Sequence, residues 1–187
     1  QAQDLTAYAG RSIKLKFFFD TIDAMKNAYR GWYVDDIEVR TAGSSETVHF
    51  DDTMAGTTNW TAGGFWRLTT NRWSSATNSW VYNDGVDYDN GRRNSGALVS
   101  RAIDLSGVAN AKLTFKSWYR TEDSGTSWDR KLVRISTDGI TWTTILQVSG
   151  PTGAMTVVLL PVIAQYGVGQ VPLLALMAGL IVLVMGL

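Results

Sequence analysis

The sequence predicts an all-β protein, an antiparallel sandwich of two sheets, and three observations carry that prediction. Short runs in which apolar and polar residues alternate recur from the first residues to about Val148. Clusters of Gly, Asn, Asp and Ser separate these runs, as turns separate half-buried strands. No useful window in that region shows the 3.6-residue period of an amphipathic helix. Hydrophobic residues make up 45% and aromatics 11% of the 187 residues, enough for a real core and too many for a disordered chain.

Taken in order, "SIKLKFFF" alternates Ile13, Leu15 and Phe17 against Ser12, Lys14 and Lys16, so one face of a strand meets the core. "RGWYVDDIEVRT", residues 30–41, follows with Trp32, Tyr33, Val34, Ile37 and Val39, all suited to a pleated surface. Asp35 and Asp36 interrupt it. Adjacent carboxylates in a strand imply either an edge facing water or a cation that offsets their charge. Further on, "AKLTFKSWY" alternates Leu113, Phe115 and Ser117 against Lys112, Thr114 and Lys116, and the phase blurs at Trp118 and Tyr119. "KLVRIST" and "ITWTTILQV" read as two strands across a tight turn at Asp138-Gly139. There Ser136, Asp138 and Thr141 serve the turn amides. One echo runs through the chain: "DLTAYAGRSIKLKF" (Asp4–Phe17) and "DLSGVANAKLTF" (Asp104–Phe115) share an Asp-Leu-Thr/Ser opening and a Leu-x-Phe strand.

Charge and composition exclude several function classes. Seventeen basic and 17 acidic residues cancel, so neither nucleic acid nor an acidic membrane is drawn by bulk electrostatics. The absence of Cys excludes thiol catalysis, disulfides and thiolate metal sites. His49 is the single His, so the two-histidine H-E-x-x-H zinc motif cannot form. There is no G-x-S-x-G elbow, P-loop or G-x-G-x-x-G turn. The opening "QAQDLTAYAG" carries neither an initiator Met nor a signal peptide, which reads as a processed chain or a fragment.

After Asp138 the chain carries no charge. Residues 149–170 read as a linker or extra strands. Residues 171–187, "VPLLALMAGLIVLVMGL", are continuously apolar and predict a C-terminal apolar helix that spans a membrane or acts as a sorting signal. At ~1.5 Å per residue it reaches ~25 Å, slightly under the ~30 Å hydrocarbon core.

Eight Trp in one chain is heavy usage. Trp60, Trp66, Trp73 and Trp80 fall in a Gly/Asn/Thr/Ser-rich stretch with Tyr82 and Tyr88. They read either as an aromatic platform that stacks on sugar rings or on a partner's apolar patch, or as core filling beneath long loops. Glu122, Asp123 and Asp129 in "TEDSGTSWDR" do not have EF-hand spacing and read as a polar loop.

The motifs "DLTAYAGRSIKLKFFFDTIDAMKNAYRGWYVDDIEV" and "VHFDDTMAGTTNWTAGGFWRLTT" through "YDNGRRNSGALVSRAIDLSG" to "DRKLVRISTDGITW" resemble a family. They are similar to the jelly-roll, MAM-like modules of immune-inhibitor-A-type secreted metallopeptidases and related bacterial surface proteins. The resemblance covers residues 4 to about 146. Residues 1–41 resemble the closing half of such a module and 46–147 its opening half, which makes residues 1–148 either a permuted sandwich or a truncated slice of a tandem array. What the resemblance implies is a structural Ca²⁺ held by Asp35 and Asp36 with Asp51 and Asp52, carboxylates suited to a hard ion. It also implies a non-catalytic extracellular binding or spacer module, attached to the cell surface through the C-terminal helix and meeting a glycan or protein ligand, with no nucleic acid partner. The alternative is a carbohydrate-binding module. Any peptidase activity would belong to a parent protein, since no catalytic domain lies in this chain.

Overall fold

Each alternating run becomes a strand in the computed structural model, which describes residues 1–42, 46–53, 56–122 and 128–148. The first strands are β1 (Ala2–Asp4), β2 (Ser12–Asp20), β3 (Gly31–Thr41) and β4 (Val48–Asp52), with one 3-10 turn at Thr6–Tyr8. The Trp-rich stretch supplies β5 (Trp60–Ala62), β6 (Trp66–Thr69) and β7 (Ser79–Tyr82). Then come β8 (Ser95–Ser100), β9 (Ile103–Asp104), β10 (Ala111–Arg120), β11 (Arg130–Ser136) and β12 (Thr143–Gln147). Residues 149–170 and the apolar stretch 171–187 lie outside the described residues. Among the described residues no helix is long and apolar enough to cross a membrane.

Two antiparallel sheets result. The first runs β1-β10-β3-β7-β6 with β4 also on β3, and the second runs β12-β11-β2-β8-β5 with β9 also on β2. The two segments that resemble separate halves share both sheets: β2 and β3, from residues 1–41, sit between strands drawn from 46–148 on either side. Neither segment alone completes a sheet, because a strand needs neighbours for its backbone groups.

The core lies between the sheets. From β2 it takes Ile13, Leu15, Phe17 and Phe19, all at most 1% exposed, and from β10 it takes Leu113 and Phe115. Phe17 lies edge-on to Phe115 with centroids 5.2 Å apart and also meets Trp32 at 5.8 Å. Each such ring, fully buried, contributes roughly 1.5–3 kcal/mol of transfer free energy. The Asp-Leu echo has a structural basis. Asp4 and Asp104 accept the N–H of Thr6 and Ser106 at 2.8 and 2.9 Å, and the following Leu5 and Leu105 are completely buried. Each turn thus anchors one Leu before a long core strand, β2 in one sheet and β10 in the other.

The Asp138-Gly139 turn is broader than a tight hairpin. Six residues, 137–142, join β11 to β12, and Gly139 takes φ +74. Asp138 Oδ1 accepts the amides of Ile140 and Thr141 and the Ser136 hydroxyl, which hold its carboxyl well below the usual range. Those bonds account for its residues without any chemistry.

Candidate ligand-binding site

The two aspartates of "YVDDI" mark a break in the strand ladder. Along one side of β3, β7 pairs with Trp32–Val34 and β4 pairs with Ile37–Arg40. Asp35 and Asp36 fall at the handover, opposite neither strand. On the other side β10 slips register between Thr114 and Lys116, so one residue of β10 faces an extra residue of β3. This is a β-bulge. Asp36 carries it at φ +50, a conformation that Asp tolerates better than most residues.

The bulge changes where the side chains point. Simple alternation predicts one aspartate outward and one inward. Instead Trp32 and Val34 face the core before the bulge and Ile37 and Val39 after it, each completely buried. Both aspartates meet the segment 70–78 on the outer face. Asp35 Oδ2 accepts the N–H of Ser74 at 2.6 Å and of Ser75 at 3.3 Å, while its Oδ1 accepts the N–H of Asp36 at 2.9 Å. The Ser75 hydroxyl bonds Asp36 Oδ1 and lies 2.6 Å from the carbonyl of Thr53. Burial raises the Asp35 pKa, and the three amides pull against that rise. The pair therefore fills a gap in the backbone hydrogen bonding, with the loop donating where a strand otherwise would.

Asp51 and Asp52 lie on β4 opposite Glu38 and Ile37, so the two acidic pairs do adjoin. They differ in environment. Asp51 is exposed and accepts the N–H of Thr53, whereas Asp52 is 5% exposed and accepts the indole N–H of Trp80 at 3.3 Å. Burial raises the Asp52 pKa, and the bond from the Trp80 indole opposes that rise. Among the described residues no group of three or more His, Cys, Asp or Glu is placed to hold a metal ion.

The platform of four tryptophans is corrected by burial. Trp60, Trp66 and Trp80 are 8%, 4% and 2% exposed, and Trp73 alone of the four is open, at 50%. Trp60 packs edge-on to Phe50 and Phe17, and Trp66 packs against Trp32 and Tyr82. Tyr82 and Tyr88 are buried too. These rings face inward because their strands are short and pair into the sheets, whose inner faces must be filled.

Trp73 belongs to a different group. On the outer face of the first sheet, Tyr33, Trp73, Trp118, Arg72, Asp35 and Lys116 line a pocket of about 180 Å³. Tyr33 and Trp118 are cross-strand partners with ring centroids 5.3 Å apart at 71°. The Arg72 guanidinium stands 3.9 Å from the Trp118 ring centroid, a cation–π contact that covers one indole face. Register alone places Lys116 opposite Asp35 across the floor. A pocket this small suits one ring-sized group, not the ~300–1,000 Å³ occupied by drug-sized ligands.

Sequence reasoning picked out Trp73 and Asp35 but not Tyr33, Arg72 or Trp118. One signal was visible: Trp118 stands in the outward phase of Lys112, Thr114 and Lys116, where a large aromatic is out of place. Arg72 had none, since only the fold brings 70–78 over β3. No family model, curated protein or solved structure matches this chain.

Proposed function

We propose that this chain is a jelly-roll, MAM-like binding module, non-catalytic, from an exported bacterial protein of the immune-inhibitor-A-like kind, and that it seats its ligand on the outer face of the first sheet. The carrying observation is the pocket itself: three aromatics, a guanidinium, an ammonium and a carboxylate meet where a solvent-facing sheet ordinarily carries scattered polar residues. The apolar residues 171–187 serve in this reading as the surface anchor.

A carbohydrate ligand is the second reading, favoured by the half-exposed indole of Trp73 beside Asp35 and Arg72. Aromatic faces stack on the C–H faces of sugars while charged groups bond the hydroxyls. A glycan array on the full chain, repeated with Trp73→Ala and Trp118→Ala, tests both. Glycan binding lost in the variants supports the carbohydrate reading. Binding of a protein ligand, with no glycan retained, leaves only the first; binding unchanged in both variants removes the pocket from the function.

The structural calcium implied by the resemblance rests on Asp35, Asp36, Asp51 and Asp52, whose two pairs adjoin across β3 and β4.

A further inference from the structure

A second polar cluster lies at one end of the sandwich, away from the bulge. Asp20 of β2 opposes Arg130 and Ser95, while Gly31 opposes Arg120 and Trp32 opposes Tyr82. Residues 21–30, 83–94, 121–122 and 128–129, which lead out of or into these strands, therefore all lie at that end, with 21–30 in the middle. The outer segments meet: the Tyr88 hydroxyl donates to Asp129 Oδ2 at 2.5 Å, and the Glu122 N–H donates to the same oxygen at 2.6 Å. The middle one is held to both, since the Tyr29 ring lies 6.5 Å from that of Tyr88 and Lys26 pairs with Glu122 at 3.8 Å. Asn27 sits between Lys26 and Tyr29 in the chain and is completely buried, as is Asp129.

Three oxygens here lack any donor: Asn27 Oδ1, Glu122 Oε2 and Asp129 Oδ1. They are all the buried side-chain oxygens without a partner among the described residues; the remaining unpartnered atoms are nitrogens. Reversing the Asn27 amide does not help, because its Nδ2 donates to the carbonyl of Asp23 at 3.2 Å and an oxygen there would face an oxygen. The buried Lys131 ammonium is held by the Thr121 hydroxyl and the Asp129 carbonyl, at 3.0 and 2.8 Å, and leaves Asp129 Oδ1 without a donor. Buried acceptors without donors are costly, and these three lie on connections at the same end of the sandwich, where one positive centre would satisfy them.

We infer that Asn27, Glu122 and Asp129 form a cation site whose occupant is Ca²⁺. The donors are all hard oxygens, two from carboxylates and one from an amide, with no nitrogen or sulfur among them. Calcium takes six to eight oxygens, so backbone carbonyls and water complete its shell. One water offers only two protons to three acceptors. A bound ion ties the segments that carry Asn27, Glu122 and Asp129 together, so its effect appears in stability as well as in binding.

The test uses the full chain stripped with EDTA and titrated with Tb³⁺, whose luminescence is sensitised through nearby tyrosines, followed by displacement with Ca²⁺. The expected results are saturable luminescence that Ca²⁺ displaces and a melting temperature several degrees higher in Ca²⁺ than in EDTA. In an Asp36→Asn background, which silences the paired aspartates, Asp129→Asn and Glu122→Gln, each keeping shape and an acceptor, should weaken Tb³⁺ binding at least tenfold and abolish the remaining thermal shift. Asp104→Asn, on an exposed turn elsewhere, should leave both intact. If Asp129→Asn does not fold, Glu122→Gln alone decides, because its side chain is at the edge of the cluster. No displaceable Tb³⁺ signal in the parent chain, or a loss confined to Asp36→Asn, overturns the assignment. The second outcome would move the ion to the paired aspartates.

Discussion

Replacing Trp80 and Trp73 separately by Ala should separate core filling from ligand contact. Trp80 is 2% exposed, lies 6.5 Å from the ring of Trp60 and donates its indole N–H to Asp52. Trp80→Ala removes a full core side chain, which costs about 3–5 kcal/mol once the cavity is included. It also takes a donor from a buried carboxylate, worth about 1 kcal/mol more. Against a domain stability of roughly 5–15 kcal/mol, that is a large fraction. For a sandwich of this size it lowers the melting temperature by roughly 10 °C or more. Trp73 is 50% exposed, so Trp73→Ala should stay within about 0.5 kcal/mol of the parent. Urea unfolding followed by far-UV circular dichroism measures both. A Trp80→Ala cost below about 1.5 kcal/mol, or an equal cost at Trp73, would refute the division of the tryptophans into core and surface.

Three further outcomes follow from the bulge, a glycine and an ion pair. Deleting Asp36 removes the extra residue, turns Ile37 and Val39 to the outer face and should abolish cooperative urea unfolding; Asp36→Gly, which keeps the count and suits φ +50, should lie within about 1 kcal/mol of the parent. Gly31 adopts φ +87, and a Cβ there would stand 2.0 Å from the Tyr82 carbonyl oxygen, so Gly31→Ala should lose at least ~3 kcal/mol or fail to accumulate; a normal thermal melt contradicts this. Burial pushes the Asp20 carboxyl up, but bonds from Arg93 at 2.8 and 3.1 Å and from the Ile22 amide outweigh it, leaving its pKa below 3.8. A depressed carboxyl stabilises the fold above its unfolded pKa and loses that contribution as pH falls through the folded value. Asp20→Asn should therefore cost about 1 kcal/mol at pH 7, with the gap to the parent closing below about pH 4 in melts across pH.

Fold class and core were readable because strand alternation is local. The period-two patterns of "SIKLKFFF" and "AKLTFKSWY" place Phe17 and Phe115 inward before any partner strand is known, and that is where they lie. The twelve described strands and their two antiparallel sheets extend that reading. The polar reading of "TEDSGTSWDR" failed at Asp129, which is completely buried, because a loop's exposure depends on which other connections cross beside it. Asp123 lies outside the described residues.

By itself, then, the sequence determined which residues alternate, where the chain turns, that the core is aromatic-rich and that thiol or two-histidine chemistry is absent. Those properties reside in residue types and short spacings. Only the tertiary structure decided that "DD" is a bulge where β7 gives way to β4, that three of four tryptophans are core, and that Tyr33, Arg72 and Trp118 share a pocket with the fourth. It also brought Asn27 to the same end of the sandwich as Glu122 and Asp129, about a hundred residues further along the chain. Each of these depends on which strands become neighbours. That choice is made by burying apolar faces across the whole chain, so a window of ten residues holds no trace of it.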